Sequence, residues 1–235
     1  VLVENSLETS VGSVNPGLTA NPGLTARAIR DPARSRTKRT MDVVLSLAAL
    51  VALSVIFLII AAAIAVLEGR PILIRHKRIG KDGVAFDCLK FRTMVTDADV
   101  ALTRHLAANP EAMLEWHATH KLRDDPRITP IGKVLRETSL DELPQFVNIL
   151  RGEMSLVGPR PIVAAEMPRY GAAAADYMAV RPGLTGLWQC SGRNDVSYDQ
   201  RVQLDKQYVR TWSTWQDVLI MAKTVPAVVR SRGVY

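Results

Sequence analysis

The chain has 235 residues, 48% of them hydrophobic and 23% charged, with a formal net charge of +7. That apolar content excludes a wholly disordered chain, and the length suits one domain with room for an arm. Two cysteines, Cys88 and Cys190, exclude a disulfide framework. The positive charge points to an anionic partner: nucleic acid, an anionic lipid surface or a phosphorylated substrate.

Residues 1–40 read as a flexible basic arm. A hexapeptide runs from Asn15 to Ala20 and again from Asn21 to Ala26, with Pro and Gly recurring where a helix or strand would break. Two copies are too few for a solenoid. From Arg27 to Arg39 cationic residues outnumber the single acid, Asp31.

Val43 to Leu67 carries no charge and is interrupted only by Ser46 and Ser54. As a straight helix it would be roughly 37 Å long, more than the ~30 Å hydrocarbon core of a bilayer. Composition alone therefore reads as a transmembrane helix. The flanks argue differently, because Arg70, Arg75, Lys77, Arg78 and Lys81 follow and basic residues mark the cytoplasmic side. A segment broken near Ser54, entering and leaving by one face, satisfies both flanks; each arm would reach only ~18 Å. The Ser54 hydroxyl is suited to bond a backbone carbonyl and bend the helix. Charge by itself leaves the spanning and re-entrant topologies both open.

Further on, 71–75 and 84–91 read as strands joined by the turn-rich 80–83, a β-hairpin. Residues 97–120 are helical and split by Pro110; His117 and His120 within them lack a third ligand at a metal-binding spacing and read as solvated. A turn follows at 125–130, then a short basic piece at 131–136. Residues 139–150 read as one helix, with Ser139 and Glu142 forming a capping box. Trp212 and Trp215 suit either the core or a lipid headgroup boundary.

Basic residues recur in tight turns rather than along a helix face: Lys90 and Arg92, Arg136 ahead of Asp141 and Glu142, Arg160 between two prolines, and Arg181 before Pro182-Gly183. Guanidinium groups held by a stiff backbone suit phosphate recognition. Aromatic residues amount to only 6% and no nucleic-acid-reading module is visible, so nucleic acid is the weaker partner.

From Lys38 onward the chain resembles the bacterial sugar transferases of the monotopic phosphoglycosyl transferase superfamily. The resemblance lies in ordered blocks: 38–42, 78–80, 90–94, 125–129, 138–145, 154–161 and 181–189. It implies an α+β, mainly helical, membrane-associated domain with a re-entrant helix hairpin at 41–69 and a small β-hairpin. Residues 70–235 would form a catalytic domain, with membrane-associated helices, on the cytoplasmic face of the bacterial inner membrane. It further implies transfer of hexose-1-phosphate from a UDP-hexose, of glucose or galactose type, to polyprenyl (undecaprenyl) phosphate. UMP would leave and an aspartyl-phosphosugar would form on the way, in the first membrane step of exopolysaccharide or O-antigen synthesis.

By the same resemblance Asp141 is the nucleophile and Glu142 its partner, both ligating Mg²⁺. Lys90, Arg136 and Arg160 fall on basic positions of the family motifs as phosphate contacts, and Arg92 and Arg181 join them from their basic loops. Membrane lipids are expected partners, nucleic acid is not, and homodimerisation is left open. Three positions depart from the family pattern: Glu137 beside Arg136, Val55 where proline usually follows the serine, and His76 where glutamine is common. A non-catalytic adaptor of a polysaccharide assembly complex is the alternative, and the intact Asp141-Glu142 pair argues against it.

Overall fold

The uncharged run folds as two helices, α1 (Arg36–Ala52) and α2 (Ser54–Leu67), bent by 61° across Leu53. The structure is a computed structural model that describes residues 31–119, 122–191 and 196–229; the hexapeptide repeat and His120 lie outside the described residues. At the bend the Ser54 hydroxyl donates to the Val51 carbonyl (2.8 Å). Proline is not needed here, because Val55 falls in the first turn of α2, where a backbone N–H has no acceptor within its own helix. No single described helix is long and apolar enough to cross a membrane.

Both ends of the bent pair are tied into one body. Ser35 caps α1, and residues 36–40, part of the arm by composition, form its first turns. Lys38 is buried, donating to the Val157 carbonyl (2.9 Å) and to Asp217 (2.7 Å). Asp42 accepts from the Ser155 hydroxyl and the Leu156 amide. At the far end Arg92 donates to the carbonyls just past α2, those of its C-cap Glu68 (2.6 Å) and of Gly69 (3.1 Å). Ile60 and Ile64 of α2 bury against Phe91 and Leu135, and the Phe57 ring meets Phe91 at a 54° tilt with centroids 4.7 Å apart. Each such fully buried side chain contributes about 1.5–3 kcal/mol.

The hairpin is β1 (Leu73–Ile79) against β2 (Ala85–Phe91), antiparallel, with Arg78 opposite Phe86 and Ile74 opposite Lys90. Next come α3 (Ala98–Ala108), α4 (Pro110–Thr119), α5 (Pro130–Glu137) and α6 (Gln145–Arg151). Pro110 divides α3 from α4 by opening the second, a position that costs proline nothing. The helix read over 139–150 is corrected. Ser139 caps nothing and adopts a left-handed conformation (φ 58°); a single 3₁₀ turn, Leu140–Glu142, follows, and α6 starts only after Pro144. Proline favours a helix's first turn over its interior, and here it separates two short elements.

A second sheet was not legible in the sequence. β3 (Ser155–Val157) pairs in parallel with β4 (Gly183–Thr185), so the 158–161 loop and the 181–186 loop lie backbone to backbone. A Cβ at Gly183 would run into the Gly158 amide. Five α-helices complete the described chain: α7 (Met167–Tyr170), α8 (Ala174–Met178), α9 (Leu187–Cys190), α10 (Tyr198–Thr211) and α11 (Thr214–Val229). The main core joins Phe86, Cys88, Ile149, Met154, Val157, Tyr208 and Ile220. Trp212 belongs to that core and donates its indole N–H to Asp217 (3.0 Å), whereas Trp215 is 68% exposed. Both cysteines are free thiols.

Candidate active site

The site is assembled from β2, the end of α5 and the 3₁₀ turn. Thr129 opens α5 by accepting from the Gly132 amide, and its own amide donates to the Thr93 carbonyl. That contact fixes α5 beside the segment after β2. At the helix end Ser139, left-handed, turns the chain so that Asp141 and Glu142 come back over Lys90. Lys90 donates to Asp141 Oδ2 (3.2 Å) and Glu142 Oε1 (2.6 Å), so one ammonium bridges both carboxylates. Arg136 donates from Nε to the Thr93 hydroxyl (2.9 Å) and is close enough to Asp141 to act on its charge.

Asp141 is 7% exposed. Burial raises its pKa, Lys90 and Arg136 pull it down, and Glu142 pushes it up; the net direction is upward. Burial opposes the Lys90 charge, but Glu142 and Asp141 outweigh it and hold the ammonium above its ordinary pKa. Burial lowers the His76 pKa, helped by Arg78, Lys90 and Arg136, so this histidine is neutral at physiological pH. A carboxylate shielded from water, next to two fixed cations, is chemically a nucleophile for an electrophilic phosphorus.

Among the described residues no group of three or more acidic, His or Cys side chains could enclose a metal. Mg²⁺ needs less: it uses one or two carboxylates and fills its remaining positions with water and substrate phosphate oxygens. The point between Asp141 and Glu142 already attracts a cation, the Lys90 ammonium, so the donor set suits such an ion.

The expected phosphate contacts separate into groups. Lys90 and Arg136 meet at the carboxylates. Arg92 is spent on the end of α2, with Glu68 3.8 Å away, and Arg181 donates to the Gly152 carbonyl (2.7 Å). Arg39 likewise donates to Ile149 and Leu150, so Arg39 and Arg181 together satisfy carbonyls at the end of α6. Arg160 lies over Trp188 (5.5 Å to the ring centre) and makes no ion pair with Asp141 or Glu142.

Asn148 escaped the sequence reading. Fully buried on α6, it accepts from the Leu89 amide (2.9 Å) and donates to the Asp87 carbonyl (2.7 Å), so its amide acts as a neighbouring strand for β2. That sets Lys90 in register with the turn ahead of α6. An asparagine inside an apolar helical stretch is the only signal the sequence offered.

Residues 33–231 match the bacterial sugar transferase family. The chain is 52% identical over 208 residues, 88% of its length and 92% of the relative's, to exopolysaccharide production protein ExoY of Sinorhizobium fredii. It is 46% identical to an undecaprenyl-phosphate galactose phosphotransferase of Salmonella typhimurium, over 84% of this chain and 41% of that protein. A UDP-glucose:undecaprenyl-phosphate glucose-1-phosphate transferase of Caulobacter vibrioides is 39% identical over 84% of this chain and 72% of its own. With its paired carboxylates and their cations in place, the chain belongs to the bacterial sugar transferase family.

Proposed function

We propose that this protein is a phosphoglycosyl transferase that moves hexose-1-phosphate from a UDP-sugar to polyprenyl phosphate in exopolysaccharide synthesis. The observation that carries the reading is the buried Asp141, bridged with Glu142 by Lys90 and flanked by Arg136. An Asp141 carboxylate oxygen attacks the sugar-linked phosphorus, a P–O bond of the diphosphate breaks, and UMP leaves. An oxygen of the lipid phosphate then attacks the acyl phosphate and returns Asp141 to its free state. Lys90 and Arg136 bind the phosphate oxygens, and burial of Asp141 keeps water from the acyl phosphate. Mg²⁺ held by Asp141 and Glu142 would offset the charge of the diphosphate.

We place the protein on the cytoplasmic face of the bacterial inner membrane, with α1 and α2 as a re-entrant hairpin. Two features support this. Large apolar side chains of the pair face outward, including Val51, Leu58 and Val66 (81% exposed), and both ends are fastened to the same body, through Lys38 and Asp42 and through Arg92. A spanning segment would carry its ends to opposite faces.

Wild type and Asp141→Asn in nanodiscs, supplied with Mg²⁺, polyprenyl phosphate and UDP-glucose or UDP-galactose, test the reaction. Wild type releases UMP and, with lipid acceptor omitted, retains label from a β-³²P UDP-sugar; the variant does neither. Folded wild type that releases no UMP from either sugar overturns the reading.

A further inference from the structure

Three arginines outside the carboxylate site converge from separate segments: Arg160 after β3, Arg169 on α7 and Arg201 on α10. Arg169 lies 3.5 Å from the centre of the Tyr198 ring. Arg201 lies 4.2 Å from that of Trp188 and 5.7 Å from that of Tyr198, and Arg160 lies 5.5 Å from that of Trp188. Among the described residues none of the three forms an ion pair with a carboxylate. Among the described residues two acids stand nearby, and Asp205 keeps one buried oxygen, Oδ1, without a hydrogen-bond partner. Glu166 accepts from the Val163 amide, and Asp205 is buried beneath the group, accepting from the Tyr170 hydroxyl (2.8 Å).

The same cluster contains polar atoms that are buried and without a hydrogen-bond partner among the described residues: Trp188 Nε1, Arg201 Nε and Tyr198 Oη. Unpaired buried donors are costly, and so are three guanidinium groups gathered with the single buried carboxyl of Asp205 beneath them, which acts on Arg160 and Arg201 without an ion pair to either. Burial and then the proximity of Arg160 both disfavour the charge on Arg201. A guanidinium stacked on a ring face leaves its N–H edges free, the geometry in which arginine grips a phosphate. The 158–161 loop is held against β4, which fixes Arg160 relative to Trp188. An anion with several oxygens would satisfy the donors and the charge together.

We propose that Arg160, Arg169 and Arg201, scaffolded by Trp188 and Tyr198, form a second phosphate-recognising subsite, distinct from the Lys90 and Arg136 pair at the carboxylates. The assignment of its ligand to a substrate rests on the transferase reading above. Its ligand is a phosphate monoester or diphosphate group, carried either by the nucleotide or by the polyprenyl acceptor. Two cationic centres suit a reaction in which phosphates of two molecules must be held in turn.

The test uses full-length protein in nanodiscs with Arg169→Met, Arg201→Met and the double variant. Methionine keeps the aliphatic contact and removes the charge. KM for the UDP-sugar and KM for polyprenyl phosphate are measured separately, and UMP and inorganic pyrophosphate are probes in thermal shift. The double variant is expected to raise one of the two KM values about tenfold while kcat stays within about threefold, the size of one lost charge-assisted contact. The KM that moves identifies the source of the phosphate. The thermal shift by pyrophosphate is expected in wild type and in Asp141→Asn, and lost in the double variant. Should the double variant fail to fold, Arg169→Met decides alone, since Arg169 is exposed and its removal spares the core. Unchanged KM values and an unchanged thermal shift in folded variants overturn the subsite and leave the transferase intact. A pyrophosphate shift that depends on these arginines in a wild type without turnover upholds the subsite and overturns the transferase.

Discussion

At the residue scale, Lys90 carries two duties that one substitution separates. In Lys90→Met both carboxylates lose their shared counterion, so the Asp141 pKa climbs further, and UMP release falls at least about 100-fold. The acid limb of any residual pH–rate profile moves to higher pH; an unmoved limb would show that Lys90 does not act on Asp141. Ser139 supplies a second case. Its left-handed backbone costs a non-glycine residue about 1 kcal/mol, so Ser139→Gly should keep activity and raise Tm. Ser139→Val, branched at Cβ, should lower Tm and misplace the turn that carries Asp141.

Asp205 adds a pH dependence at the same scale. Burial pushes its pKa up to about 7 against the pull of Tyr170, the Arg160 amide, Arg201 and Arg160. A carboxyl raised above its unfolded value of 3.8 stabilises the fold fully below that value. The contribution is lost as pH climbs toward 7. Wild type should therefore lose stability between pH 4.5 and 7.5, by up to about 3 kcal/mol, and Asp205→Asn should flatten that slope. Thermal denaturation across this pH range makes the comparison; parallel slopes would exclude Asp205 as the group responsible.

At the scale of elements, arginines do two jobs that composition cannot tell apart. Arg92 and Arg181 sit in turns like those of the other basic candidates, yet both close helix C-termini. Arg92→Met should leave the Glu68 carboxylate buried without its cation and cost about 3–5 kcal/mol, visible as a lower Tm rather than a higher KM. Adding Glu68→Gln should recover part of the loss. Asn148→Leu should strand the Leu89 amide and the Asp87 carbonyl and destabilise by about 2–4 kcal/mol, measured by denaturation.

For the whole molecule, the proposed re-entrant topology rests on the bend at Leu53 and the two fastened ends. Single cysteines at Ala33 and Lys81, in a background with Cys88 and Cys190 replaced, should both react with a membrane-impermeant thiol reagent from the cytoplasmic side only. Labelling of the two from opposite sides would establish a spanning helix instead. Val55→Pro should change neither pattern, because position 55 lies in the first turn of α2.

Much of this protein was legible in the chain itself. The uncharged run with basic flanks, the hairpin around 80–83, the break at Pro110 and the ordered motif blocks are local patterns, set by side-chain polarity and by the φ of proline and glycine. Asp141, Glu142 and Lys90 could be named because their motifs are contiguous. What the chain could not express is contact between distant segments. The parallel pairing of β3 with β4, the amide of Asn148 standing in for a strand, the burial of Trp212 beside an exposed Trp215, and the division of the arginines between helix ends, carboxylates and aromatic rings all depend on neighbours at least several residues away, most of them dozens. A guanidinium has the same chemistry in every turn; only the tertiary structure decides whether a helix carbonyl, a carboxylate or a ring stands next to it.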